Sequence, residues 1–185
     1  MTERWQVGAI VSASTGAPLT LTAPVSSLWQ TTGGSTPVVL GDFAKSAGKI
    51  TKAPTGVAYF PGFTQKADPA IAIVTATNAL NTRGTNFAIY DAAGNPMLVN
   101  PGAGQIGTLG RGVIEGPGSV RFDLNLIKRV RISESKELEL RMDSTNILNH
   151  PVFGNPNVNI DSTTFGQITS ASDGRRFTLS TRLNF

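Results

Sequence analysis

The sequence predicts an all-β chain, with about four antiparallel strands forming an open, curved sheet in the wall of a large transmembrane β-barrel. Three observations predict it. Long runs alternate between apolar and polar residues, the polar members are charged and mixed in sign, and the connections between runs are very unequal in length.

The clearest run alternates Val120, Phe122, Leu124, Leu126, Val130 and Ile132 with Arg121, Asp123, Asn125, Arg129 and Arg131; Ile127 and Lys128 are its exceptions. Period two makes a strand, because a helix would scatter these residues around its circumference. After the polar turn Ser133-Glu134-Ser135-Lys136 the pattern resumes, with Leu138, Leu140 and Met142 against Glu137, Glu139, Arg141 and Asp143. Two alternating runs across a short turn predict an antiparallel hairpin. In the last run Phe177, Leu179, Leu183 and Phe185 share a face with Thr181, and Arg176, Thr178, Ser180, Arg182 and Asn184 take the other. A weaker run places Trp5, Val7, Ala9, Val11 and Ala13 together. The expected strands cover about 4–14, 119–132, 137–148 and 175–185, with long connections at about 15–118 and 149–174. The first connection holds only short strand-like pieces, at 57–60, 86–90 and 97–99.

Alternation alone fits a soluble sheet with one solvated face as well as it fits a barrel. Arg121, Asp123, Asn125, Glu137, Glu139, Arg141, Asp143 and Arg182 are the candidates for a lumen-facing set, since neighbouring strands in a wet lumen pair opposite charges. The connections separate the two readings. If Phe185 ends its strand on the periplasmic side, the 133–136 turn is periplasmic and both long connections lie outside the cell. Short periplasmic turns with long external loops are the barrel pattern.

Composition agrees. Charged residues make up 15%, hydrophobic residues 39%, with 20 Gly and 11 Pro, a mixture that suits strands and irregular loops better than helices. The mean hydropathy of −0.02 averages the alternation away. The net charge of +4 comes from scattered basic residues without a stripe, so nucleic acid is not an expected partner. The chain has no Cys, which removes disulfides, thiolate metal sites and thiol chemistry. Its single His, His150, falls in a loop and suits packing or capping. Asp123, Glu137, Glu139 and Asp143 share one kind of face and are better explained by pairing across strands than by acid–base work. The Gly-rich stretches at 102–104 and 107–118 lack the Lys-Ser/Thr of a phosphate loop. No catalytic residue, metal ligand or cofactor is therefore expected, and the chain is not expected to be an enzyme. No apolar run approaches the roughly 18–20 residues of a membrane-spanning helix. The opening Met1-Thr-Glu-Arg-Trp5 lacks the apolar segment of an export signal.

Three segments carry a resemblance: Gly110-Arg-Gly-Val-Ile-Glu-Gly-Pro-Gly118, then Arg121-Phe-Asp-Leu-Asn-Leu, then Arg141-Met-Asp-Ser-Thr-Asn-Ile-Leu-Asn-His-Pro-Val-Phe-Gly-Asn-Pro156. With Phe165-Gly-Gln-Ile-Thr-Ser170 and the terminal Phe185, they resemble the C-terminal barrel segment of TonB-dependent outer-membrane receptors. The Oar-like group that bears a carboxypeptidase-regulatory domain, abundant in Acidobacteria, is the most similar. Trp5-Gln-Val-Gly and Ser14-Thr-Gly-Ala-Pro-Leu resemble that family's preceding strand and its exit. The likeness is specific over 107–185 and looser over 21–104.

The resemblance implies an outer-membrane receptor that imports a scarce solute with energy coupled through TonB. It implies as partners the outer-membrane lipid, the barrel-assembly machinery, a lumen-filling plug, the rest of a parent barrel, and TonB through an N-terminal part. The terminal strand is similar to the signal that the assembly machinery reads, on Phe177, Leu179, Leu183 and Phe185, with Thr181 as a departure. Such barrels carry about 22 strands and even the smallest about 8, so four strands are expected to be a fragment. Two other classes are an outer-membrane structural or adhesion protein and a soluble β-sandwich binding module. An upstream plug would favour transport over adhesion; stability as a monomer without detergent would favour the sandwich.

Overall fold

The computed structural model describes residues 4–23, 35–43, 48–54, 56–68, 87–102 and 105–185. Its described residues form β-strands and no helix: β1 (Arg4–Ser14), β2 (Pro18–Leu19), β3 (Val38–Val39), β4 (Thr51–Ala53), β5 (Gly56–Ala58), β6 (Thr64–Ala67), β7 (Phe87–Tyr90), β8 (Pro96–Val99), β9 (Ile114–Glu115), β10 (Ser119–Arg131), β11 (Glu137–Thr145), β12 (Val152–Phe153), β13 (Gln167–Ile168), β14 (Ala171–Ser172) and β15 (Arg176–Asn184). The sequence reading took the chain as one domain; the structure divides it into two compact units.

The first unit comprises Met1–Thr15, Gly118–Phe153 and Ala171–Phe185. It holds the four long strands in the order β1-β10-β11-β15, each antiparallel to the next, and the small β12-β14 pair. The 133–136 turn is closed by the Ile132 and Ser133 N–H groups, which donate to the Lys136 carbonyl at 2.9 and 3.2 Å. Drawing the Ile132 N–H into this turn ends β10 at Arg131, one residue before the expected end.

β11 stops at Thr145, short of the expected 148, and the cause is Asn146. Its φ of 49° takes the chain out of the extended region. Its N–H donates to Asp123 Oδ1 at 2.8 Å, and its amide closes a loop by donating to the His150 carbonyl at 2.9 Å and accepting from the His150 N–H at 3.0 Å. The same amide donates to the Asp173 carbonyl. Asn is one of the few residues that visits this conformation readily, because its short polar side chain bonds locally.

The register also sets a slope. Ala9, the midpoint of β1, stands level with Leu124, Ser144 and Phe177, whereas the midpoint of β15 is Ser180. The strands thus slip by three residues toward the turn over three lateral steps. One residue of about 3.3 Å per step of about 4.8 Å corresponds to a strand tilt of roughly 35°. Among the described residues, the outer edges of β1 and β15 have no strand partner.

The second unit comprises Gly16–Pro117 and Gly154–Ser170. The sequence reading gave these residues to two separate loops; the structure folds parts of both into one unit. Its sheets run β3-β8-β7-β6, β13-β5-β4 and β2-β9. Leu21, Ala23, Ala88, Ile89, Leu98, Ile114 and Ile160 make its buried core. Each strand contributes only one or two apolar residues, too few for a periodicity to show. Polar groups fasten it as well. The Asn100 amide nitrogen donates to Asp161 Oδ1 at 2.8 Å and to the Phe87 carbonyl at 3.1 Å, and the Asn100 N–H donates to Asp68 at 3.1 Å. Gln65 Nε2 donates to the carbonyls of Ile160 and Ser162. Gly16 is required where it stands, since a Cβ there would fall 1.7 Å from the Gly116 carbonyl oxygen.

Candidate functional site

The candidate site is the four-stranded sheet of the first unit, because its two faces carry different chemistry. Register pairs share a face. Asn125 lies opposite Asp143, Ile127 opposite Arg141, Arg129 opposite Glu139 and Arg131 opposite Glu137, with Glu139 in turn opposite Arg182. Arg121 and Asp123 stand on the same face farther along β10. All eight residues singled out from the sequence as the polar set therefore lie on one side of the sheet.

These groups are organised into short-range pairs. Arg121 meets Asp123 at 2.8 Å and Asp173 at 3.5 Å; Arg129 meets Glu139 at 2.7 Å and Glu137 at 4.0 Å; Arg141 meets Asp143 at 2.7 Å. Asn125 Nδ2 donates to Asp143 Oδ1 and links the last pair to β10. Partly exposed pairs of this kind contribute about 0–1 kcal/mol each. Their consequence is a hydrated, charge-balanced surface more than stability. Among the described residues Arg4 and Arg182, on the outer strands of the same face, form no ion pair.

The other face carries Trp5, Val7, Ala9, Val11 and Ala13 of β1, Phe122, Leu124 and Leu126 of β10, Leu138, Leu140 and Met142 of β11, and Phe177, Leu179 and Leu183 of β15. Among the described residues of this unit nothing covers the outer strands: Val7 and Val11 are each 65% exposed and Leu179 77%. In water, such a contiguous apolar surface would be a strong liability. The strands are 11, 13, 9 and 9 residues long, each at least as long as the roughly 9–11 tilted residues that cross a bilayer. Of the four residues singled out on the terminal strand, Phe177, Leu179 and Leu183 project from this apolar face, and Phe185 lies one residue past β15, almost fully exposed.

Three features escaped the sequence reading. Lys128 stands directly opposite Trp5 on the apolar face, its ammonium 4.6 Å from the ring centroid. The two are far apart in sequence, and only the register brings them together. Ser144, also on that face, is buried with its hydroxyl unpaired. Asn146 is the buried hub described above; an Asn directly after an alternating run was its one visible signal. Outside the sheet, burial and the nearby Glu115 carboxylate push the Tyr59 phenol above its ordinary value, and its hydroxyl donates to the Glu115 carbonyl at 2.6 Å. The Asp91 carboxylate is held below its usual range by the Asn95 N–H and amide that donate to it. Among the described residues no group of three or more His, Cys, Asp and Glu could hold a metal ion.

Comparison with curated proteins and with solved structures gives no match. The family model of an outer membrane beta barrel domain matches residues 1–178. Tilted strands of bilayer length, one bare apolar face and one ion-paired face are the physical form of that match. The chain belongs to the outer membrane β-barrel domain family and is a protein of the bacterial outer membrane.

Proposed function

We propose that the chain forms part of the wall and the external loops of a TonB-dependent receptor that imports a scarce solute, a transport role and not a catalytic one. The observation that carries this reading is the sheet with one charged face and one bare apolar face, whose connections are short at one end and long at the other. β1 and β10 are joined through the long 15–118 connection and β11 and β15 through 146–175, both leaving the end of the sheet opposite the 133–136 turn. With the turn in the periplasm, both long connections lie outside the cell and contribute to a ligand vestibule. The polar residues Arg121, Asp123, Asn125, Glu137, Glu139, Arg141, Asp143 and Arg182 face the lumen and meet a plug. The apolar side of β15, with Phe177, Leu179, Leu183 and the terminal Phe185, is read by the barrel-assembly machinery. Unpaired strand edges are not tolerated in hydrocarbon, so β1 and β15 pair with further strands, those of a larger barrel in the cell and those of other copies when the chain is refolded alone.

The chain has no Cys, so single cysteines report topology cleanly. In intact cells Ala93→Cys is expected to react with a membrane-impermeant maleimide, and Ser135→Cys only after the outer membrane is opened. Labelling of Ser135→Cys in intact cells reverses the orientation. Transport is read by deleting the gene and following uptake of ferric chelates, cobalamin and oligosaccharides. Loss of one of them on deletion, and on collapse of the proton gradient, supports import; unchanged uptake of all three classes refutes it for them.

A further inference from the structure

We propose that Trp5 and Lys128 bind the headgroup of an anionic phospholipid on the outside of the sheet, an inference that rests on the lipid-facing reading of the apolar face. Among the described residues, Lys128 is the only charged side chain on that face of the four strands. A lipid-facing charge is expensive at the midplane and inexpensive near the interface. Lys128 stands three residues inside the turn-side end of β10. At about 3.3 Å per residue and a tilt of roughly 35°, its Cα is about 8 Å inside that end. Its four-carbon stem carries the ammonium outward to headgroup level. Trp5 is the second residue of β1 and sits across from it, as an indole at the membrane–water boundary does.

The ring and the ammonium, 4.6 Å apart, hold each other in place. An ammonium has three N–H donors, so it donates to a phosphate oxygen beside its other partners. The same pair borders a shallow groove of about 300 Å³ whose apolar lining includes Leu126, Leu140, Met142 and Leu179. Positive charge at the rim and hydrocarbon along the floor match one molecule, a phospholipid with its phosphate on Lys128 and part of an acyl chain in the groove. A zwitterionic headgroup brings its own cation to the site, whereas a headgroup of net negative charge does not. The expected preference is about fivefold, the gain of one lysine near an anionic surface.

The chain contains two Trp, so Trp29→Phe leaves Trp5 as the sole tryptophan. The chain is refolded into mixed vesicles in which either phosphatidylglycerol or phosphatidylcholine carries bromine at shallow acyl positions, and quenching of Trp5 reports which lipid lies beside it. The expected result is preferential quenching by brominated phosphatidylglycerol. That preference is lost in Lys128→Gln and kept in Lys128→Arg, with total quenching unchanged in both. Equal quenching by the two lipids, or a preference that survives Lys128→Gln, overturns the site and leaves the lipid-facing wall standing. No quenching by either brominated lipid, from chain that floats with the vesicles and shows β-structure by circular dichroism, overturns the lipid-facing reading itself, and the site with it.

Discussion

Leu179→Arg distinguishes a wall against lipid from a sheet face against water. Leu179 lies one residue from the midpoint of β15 on the apolar face and is 77% exposed. In water, a charge at so open a position stays within about 0.5 kcal/mol of neutral. In a bilayer the guanidinium lies near the midplane, where a barrel's lipid face charges about 2–4 kcal/mol for it. That range is roughly 30- to 1,000-fold in the folding equilibrium. Two controls bracket it. Thr178→Arg, next along the strand on the opposite face, is expected to cost less than about 0.5 kcal/mol. Leu183→Arg, nearer the end of the strand, is expected to fall toward about 0–1 kcal/mol, because the penalty fades at the interface. Urea titration of the chain refolded into phosphatidylcholine vesicles, followed by tryptophan emission and heat-modifiable electrophoretic mobility, measures all three. A cost below about 0.5 kcal/mol for Leu179→Arg, or equal costs for Leu179→Arg and Thr178→Arg, refutes the lipid-facing assignment.

Other perturbations test the supports of each unit. Asn146→Ala removes a fully buried amide that bonds His150 and Asp173 at a φ of 49°; a loss of about 2–4 kcal/mol is expected in the denaturant midpoint. Asn100→Leu strips the buried Asp68 and half-buried Asp161 carboxylates of a shared donor, and a loss of about 2 kcal/mol or more is expected, read as faster proteolysis within the second unit. Tyr59 gives a pH dependence. Its folded pKa lies above the ordinary 10.0, so its stabilisation is complete below that value and disappears as pH rises through the higher folded one. Absorbance titration near 295 nm is expected to show one late-ionising tyrosine that vanishes in Tyr59→Phe, and an ionisation at the ordinary value would contradict the burial. Gly16→Ala sets a methyl group against the Gly116 carbonyl, and a shift of that backbone with a loss of about 2 kcal/mol or more is expected.

The long strands were legible because each carries enough alternating residues to declare a period, and the charged set of β10 and β11 fell on one face for the same reason. β11 was overextended to residue 148 because Ile147 and Leu148 continue an apolar habit after Asn146 has already turned the backbone. The second unit was legible only in pieces: the strand-like runs at 57–60, 86–90 and 97–99 overlap β5, β7 and β8, but nothing in the sequence joined them into one body. Its strands are two to four residues long, and its core is assembled from single residues such as Leu21, Ile114 and Ile160 that are distant in sequence. The pairing of Trp5 with Lys128 depends on the register of β1 against β10, which no local pattern encodes. The family resemblance pointed to an outer-membrane barrel from short segments alone, and the family match is to such a barrel.

The small β2-β9 pair has a consequence for the order in which the chain can fold. Three residues lie between the end of β1 and the start of β2, and three between the end of β9 and the start of β10. Joining β1 to β10 in an otherwise unstructured chain means closing a loop of roughly a hundred residues. Once Pro18 is paired with Glu115 and Leu19 with Ile114, only a few free residues remain on each side. The logarithmic closure cost then falls by about 2.5 kcal/mol, and a distant pairing becomes kinetically local. An insert that looks like ornament on a barrel strand thus works as a latch: once it has closed, the two halves of a long-range hairpin meet as though they were neighbours in the sequence.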